Sequence, residues 1–218
     1  IVIAEYNRSV QGFLVGAVER IINTNWDAIM PPPQGTGRAS YLTAVTEVEN
    51  ELIEILDVEK ILNEISPLNA EVSSEVAEGL TTEGQENKII FIADDSAVAR
   101  NQVKKALTSL GLEIELAKNG LEALNRLKEI AEEYGDVTNR VGVLVSDIEM
   151  PEMDGYTLTA EIKNTPELQK LHVVLHTSLS GVFNQAMVQK VGADDFIAKF
   201  HPDELATAVQ KWLMAECE

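Results

Sequence analysis

Five polar residues stand directly after short apolar runs, and their types suit chemistry on a phosphoryl group. The run Val141–Val145 leads into S-D-I-E-M-P-E-M-D-G, residues Ser146–Gly155, so Asp147 falls where a buried strand would end. Open α/β sheets place ligand sites outside the carboxyl ends of their strands. A carboxylate there can be a nucleophile, a metal ligand or the cap of a turn. A second run, Ile89–Ala93, ends in Asp94-Asp95-Ser96. Capping the next helix would contribute about 1 kcal/mol and accounts for one of the two aspartates. Three carboxylates meeting at one edge repel each other unless a hard cation joins them, and Mg²⁺ suits such oxygen ligands. Thr177 follows Leu171–His176 and Lys199 follows Phe196-Ile197-Ala198, adding a hydroxyl and a positive charge. Phosphoryl transfer depends mostly on positioning and charge neutralisation, and these groups supply both. A terminal Thr or Lys taken alone is usually surface; four strand ends agreeing on one chemistry is a stronger signal.

The elements that must position these residues follow from periodicity. From Lys88 onward the pattern alternates strand and helix. It predicts strand Ile89–Ala93, a helix with apolar Val98, Val103, Ala106, Leu107 and Leu110 that stops at Gly111, and strand Glu113–Ala117. Helix Asn119–Glu133 follows with Leu121, Leu124, Leu127 and Ile130 as its core stripe, then a polar loop over Gly135–Arg140 and strand Val141–Val145. Helix Tyr156–Lys163, strand Leu171–His176, helix Phe183–Val191, strand Asp195–Ala198 and a final helix from Pro202, with Leu205, Val209, Trp212 and Leu213, complete the series. Five βα units predict a doubly wound five-stranded parallel sheet of flavodoxin-like order 2-1-3-4-5, in which the strands ending at Asp94-Asp95 and at Asp147 are neighbours.

Residues 1–65 read instead as an all-β subdomain, part of a small β-barrel. Ile1–Tyr6 and Phe13–Val18 predict a hairpin about Asn7-Arg8-Ser9, and M-P-P-P-Q-G-T-G, Met30–Gly37, predicts an exposed loop. A second hairpin is predicted from Tyr41–Val48 and Glu51–Leu56 about Glu49-Asn50, then a helix Val58–Ile65 capped by Asp57, with Ile61, Leu62 and Ile65 on one face. Residues 66–87 are rich in Ser, Thr, Gly and Glu and predict an interdomain linker with at most a helical turn. Residues 88–218 are then the second domain. The chain opens on Ile1-Val2-Ile3 without an initiator Met, and is expected to continue a longer N-terminal portion.

A net charge of −19 excludes electrostatic binding to nucleic acid or anionic lipid and favours basic partners or cations. The single cysteine, Cys217, excludes an intrachain disulfide and agrees with a reducing cytoplasm. No run is long and apolar enough for a membrane span, so a cytoplasmic location without membrane insertion is expected. His172, His176 and His201 lack metal-ligand spacing, and His176 reads as a core imidazole. Trp26 and Trp212 read as packing residues, and Gly35-Thr36-Gly37 is too short for a phosphate loop.

Two resemblances add to this reading. Residues 88–218 resemble a response-regulator receiver domain of the CheY type, through Asp94-Asp95, D-I-E-M-P-E-M-D-G, Thr177, Lys199 and the aromatic Phe196. The resemblance implies that Asp147 is the phosphoacceptor, Thr177 and Lys199 assist it, and Thr177 and Phe196 form a switch. It also implies Mg²⁺ held by Asp95, Asp147 and the main-chain carbonyl of Glu149, with Asp94 acting mainly through water; the side chain of Glu149 is expected to tune phosphoryl lifetime. One departure stands out: the family's Lys-Pro is here Lys199-Phe200, whose peptide bond is expected to be trans. Residues 1–65, through V-G-A-V-E-R-I, P-P-P and L-T-A-V-T-E-V-E-N-E-L-I-E-I-L-D-V-E-K-I-L, resemble the C-terminal part of a CheW-type coupling domain. The tandem resembles the CheV family of chemotaxis adaptors. That implies a phosphorylation-regulated adaptor between a CheA-like histidine kinase and chemoreceptors, without substrate turnover. A phosphate-sink receiver and a Mg²⁺-dependent phosphohydrolase with an aspartate nucleophile are the alternatives.

Overall fold

The computed structural model describes residues 1–6, 9–33, 41–65, 71–79, 84–177, 182–199 and 201–215. The predictions for Cys217, for Gly35-Thr36-Gly37, for the Trp26 side chain and for the Lys199–Phe200 bond lie outside the described residues. The chain divides into two units, one of Ile1–Ile3 with Gly12–Asn69 and one of Ala4–Gln11 with Ala70–Glu218.

Strands β1 (Val2–Tyr6) and β2 (Ser9–Phe13) pair as a two-stranded sheet. The expected second strand, Phe13–Val18, is displaced to Ser9–Phe13. Leu14 and Val18 are left exposed. A short β3 (Ile29–Met30) pairs antiparallel with β4 (Leu42–Val48), which takes Met30 out of the predicted loop. β4 pairs antiparallel with β5 (Glu51–Leu56) about Glu49 and Asn50, both at positive φ, 55° and 66°, the pattern of a two-residue hairpin turn. Asp57 caps α1 (Val58–Ile65) by accepting from Lys60 N–H at 2.8 Å. Ile61 and Leu62 are half-buried, whereas Ile65, the last residue of the helix, is exposed. These antiparallel sheets agree with the expected all-β first part.

Next in chain order comes α2 (Ser74–Gly79). Five parallel strands follow: β6 (Ile89–Ala93), β7 (Glu113–Ala117), β8 (Val141–Ser146), β9 (His172–Thr177) and β10 (Asp195–Ala198), ordered β10-β9-β8-β6-β7. That is the expected 2-1-3-4-5 order read from the other edge. Helices α3 (Ala97–Leu107), α4 (Gly120–Tyr134), α5 (Gly155–Asn164), α6 (Val182–Val191) and α7 (Pro202–Ala215) connect and close it. Successive β6 side chains point to opposite faces. Ile89, Phe91 and Ala93 join the core shared with α4 and α5, and Ile90 and Ile92 the core shared with α3 and α7. Both faces being covered explains why β6 and β8 read as unbroken apolar runs; each such buried side chain contributes about 1.5–3 kcal/mol.

Two local predictions need correction. Leu121 is 39% exposed, because at about 100° per residue it falls outside the arc that Leu124, Leu127, Ile130 and Ala131 turn inward. The loop Gly135–Arg140 contains a 3₁₀ turn, Val137–Asn139, whose Val137 is fully buried. At the far side of β8, Gly142 has no room for a side chain: a Cβ there would run into Leu213 Cδ2 of α7.

Candidate functional site

β6 and β8 lie side by side with Ala93 opposite Ser146, so the residues after them share one edge. Asp147 N–H extends the ladder by donating to Ala93 O at 2.7 Å. Carboxylate oxygens of Asp94, Asp95 and Asp147 consequently lie within 4.8 Å of one another. Asp94 and Asp147 are buried and Asp95 is exposed, so the cluster opens to solvent on one side. The register of β9 and β10 sets Ala198 opposite Thr177, and Lys199 N–H donates to Thr177 O at 2.8 Å. From there the Lys199 ammonium reaches across the edge to Asp94 Oδ2 at 2.7 Å and Asp147 Oδ2 at 3.0 Å. One buried cation thus joins two of the three predicted aspartates, and four strand ends meet as expected.

Burial pushes the Asp147 carboxyl up, to about 6, against the Lys199 charge and hydrogen bond and the Ile148 N–H, which pull it down; Asp95 adds a smaller upward push. The carboxyl is therefore poorly hydrated and faced by the Lys199 charge, a suitable setting for a nucleophile. Thr177 is fully buried at the end of β9, opposite Ala198 in the strand register. Phe196 is half-buried and packs against the core of the α4 and α5 face. Glu149 is exposed on the loop after Asp147. His176 is buried, and burial, with the charges of Lys199 and His201, holds its imidazole well below the ordinary range, in keeping with a neutral core residue.

The loop carrying Asp147 is held from both sides. Ile148 N–H donates to Asp147 Oδ1 at 2.8 Å, and Ser146 Oγ donates to the Asp147 carbonyl at 2.8 Å. Gly155 N–H donates to Ile148 O at 2.8 Å, and a Cβ on Gly155 would run into the Asp147 carbonyl. Asp154 caps α5 by accepting from Thr157 N–H.

Sequence reasoning missed three contributors. Ser96 is the cap of α3, accepting from Ala99 N–H, while Asp94 Oδ1 accepts from Ser96 N–H at 2.8 Å. Capping therefore leaves Asp95 unexplained, as it does most of Asp94. Arg100 donates to the Asp94 carbonyl from the second turn of α3, a contact that no local pattern marks because its target is main chain. Gly120 meets the other side of the loop, donating to Met153 O at 3.1 Å where a Cβ would not fit; a glycine in the first turn of an otherwise good helix was the available signal. The three carboxylates offer hard oxygen donors only, and the partly open edge leaves access from solvent, which fits Mg²⁺ better than a soft metal.

Residues 90–210 match the family model of the response regulator receiver domain, and residues 1–66 that of the CheW-like domain. The chain is similar to the chemotaxis protein CheV3 of Helicobacter pylori, 29% identical over 218 residues that cover 98% of this chain and 69% of the relative. With the chemotaxis protein CheV1 of the same organism it shares 27% identity over 216 residues, 98% of this chain and 66% of the relative. It thus spans about two thirds of the length of these relatives. Among solved structures, the signal receiver domain of a signal transduction histidine kinase from Syntrophus aciditrophicus is 33% identical, with a TM-score of 0.51 over 59% of this chain and 91% of that one. With a stretch matching the CheW-like domain ahead of the receiver, an arrangement similar to the chemotaxis proteins CheV3 and CheV1, the chain belongs to the response regulator receiver family.

Proposed function

We propose that the protein is a phosphorylation-regulated chemotaxis adaptor of the cytoplasm, which accepts a phosphoryl group on Asp147 from a CheA-like histidine kinase. Residues 1–65 contribute the coupling part that meets chemoreceptors and kinase, residues 66–87 connect, and residues 88–218 are the receiver. The observation that supports this best is the Lys199 ammonium set between Asp94 and Asp147 in a buried edge. The Asp147 oxygen forms a new P–O bond as the P–N bond of the donor phosphohistidine breaks, the imidazole nitrogen keeping the electron pair. Asp94, Asp95, Asp147 and the main-chain carbonyl of Glu149 are the residues that would hold Mg²⁺, which when bound neutralises phosphoryl oxygens. Lys199, already 3.0 Å from the acceptor, stabilises the charge that arrives there.

Thr177 then bonds the phosphoryl group, and Phe196 follows it inward as the switch. Glu149, exposed two residues past the acceptor, tunes access of water; Glu149→Ala changes the decay rate of phosphorylated protein, and an unchanged rate would remove that role. The protein gives a lasting modification instead of steady turnover. Incubation with Mg²⁺ and acetyl phosphate, or with the kinase, adds one phosphoryl mass to the wild type and none to Asp147→Asn. Steady phosphate release from varied monoesters would sink the reading. Pull-down with receptor and kinase tests the coupling half, and no capture in the unphosphorylated and phosphorylated states would defeat it.

A further inference from the structure

Composition marks the residues before the receiver as solvated linker, yet Glu71–Ser73 is fastened to two helices. Ser73 N–H donates to Asp203 Oδ1, in the first turn of α7, at 2.7 Å. Glu71 Oε1 pairs with Lys105 Nζ, on α3, at 2.9 Å. Between these grips the half-buried Val72 packs against the core that Val103 and Ala106 of α3 form with Leu205 and Ala206 of α7. Ser73 also opens α2, its carbonyl accepting from Ala77 N–H at 2.9 Å, so it is held from both directions.

The two helices so gripped are also tied together at their starts, at the acid cluster. α3 begins after Asp94-Asp95-Ser96 and α7 begins three residues after Lys199, and the Lys199–Asp94 pair at 2.7 Å joins the two approaches. Arg100 and Ser96 add the bonds that couple Asp94 to α3 itself. A contact inside the site thus links the approaches to α3 and α7, and a three-residue strap grips the same two helices from outside.

We propose that Glu71–Ser73 is a latch that holds α3 and α7 together in the unphosphorylated protein and is released when Asp147 is phosphorylated. This rests on the phosphoacceptor reading above. With acetyl phosphate as donor, the P–O bond to the acetyl group breaks, acetate leaves with the electron pair, and the Asp147 oxygen gains the phosphorus. The new anionic oxygens compete with Asp94 for the Lys199 ammonium, which relaxes the tie between the two helix starts. A strap with one grip on each helix fits one relative placement, so its grips loosen when that placement shifts.

The test is amide hydrogen exchange across residues 71–79 of the full chain, with Mg²⁺, before and after acetyl phosphate, and with intact mass read on the same sample. The Ser73 amide exchanges on the order of tenfold slower than an open chain at rest and speeds up several-fold on phosphorylation. Glu71→Lys and Lys105→Glu each speed it up without phosphorylation, and the two together restore the slow rate. A phosphoryl mass with unchanged exchange overturns the latch and leaves the phosphoacceptor reading standing. Absence of a phosphoryl mass overturns both readings. Failure of the paired charge reversal to restore protection also overturns the latch, independently of phosphorylation.

Discussion

At the scale of residues, the site carries three carboxylates against one ammonium in a mostly buried edge. Its charges therefore respond to substitution with opposite signs. Asp147→Asn removes a buried charge from the side in excess and raises stability at pH 7 by about 1–3 kcal/mol, the usual trade of stability for activity. Lys199→Met leaves buried carboxylates uncompensated and lowers stability by about 3–5 kcal/mol. Urea unfolding of the three proteins in metal-free buffer decides the matter; shifts of the same sign would refute it. Away from the site, Asp194 gives a pH dependence. Burial pushes its carboxyl up, but the nearby His172 imidazole, 3.9 Å away, with hydrogen bonds from Lys163 and Val173 N–H and the Lys163 charge, outweighs this and holds it down to about 2. The ordinary value is 3.8, so the folded state favours the ionised form. This contribution is complete above the ordinary value and is lost as pH falls toward 2, about 1–2 kcal/mol for a partly exposed group. Asp194→Asn should flatten the fall in urea midpoint between pH 5 and the acid limit, and an unaltered slope would disprove the assignment.

At the scale of elements, the loop from β8 to α5 works through close backbone approach. Gly155→Ala must push the Asp147 carbonyl away from the start of α5, so it is expected to cost about 2–3 kcal/mol and to slow phosphoryl uptake. Gly111→Ala is the control. It ends the helical stretch after α3 at φ 71°, with nothing within 4 Å of a Cβ, and should cost about 1 kcal/mol without touching uptake. Equal effects on uptake would show that the loop is not what positions Asp147. The βα alternation was legible because buried parallel strands leave apolar runs and turns leave Gly, Asn and Asp. Asp94, Asp95, Asp147, Thr177 and Lys199 were legible because each stands one or two residues past such a run. What was hidden depended on partners. β2 is placed by its pairing with β1, Leu121 by its angle around α4, and Arg100 by a main-chain acceptor. Glu71–Ser73, whose Ser73 amide bonds a carboxylate 130 residues away, has the composition of a linker and nothing local to mark its anchorage.

At the scale of the whole molecule, no helix among the described residues is long and apolar enough to cross a membrane, and the acidic surface suits cationic partners. The sheet of the second unit is covered on one face by α4 and α5 and on the other by α3 and α7, and the second cover depends on residues late in the chain. Leu213→Ala, which empties the space over Gly142, should cost about 2–5 kcal/mol, read as a lower urea midpoint with phosphoryl uptake retained. Uptake lost in step with stability would instead tie that helix end to the chemistry. The seating of Leu213 on Gly142 also bears on how the protein is made. Synthesis runs from the first strand to the last helix, so the β8 backbone emerges some seventy residues before the side chain that fills its glycine gap. Until then the part of that face that α7 covers is bare beside α3, and a cell must shield it during translation.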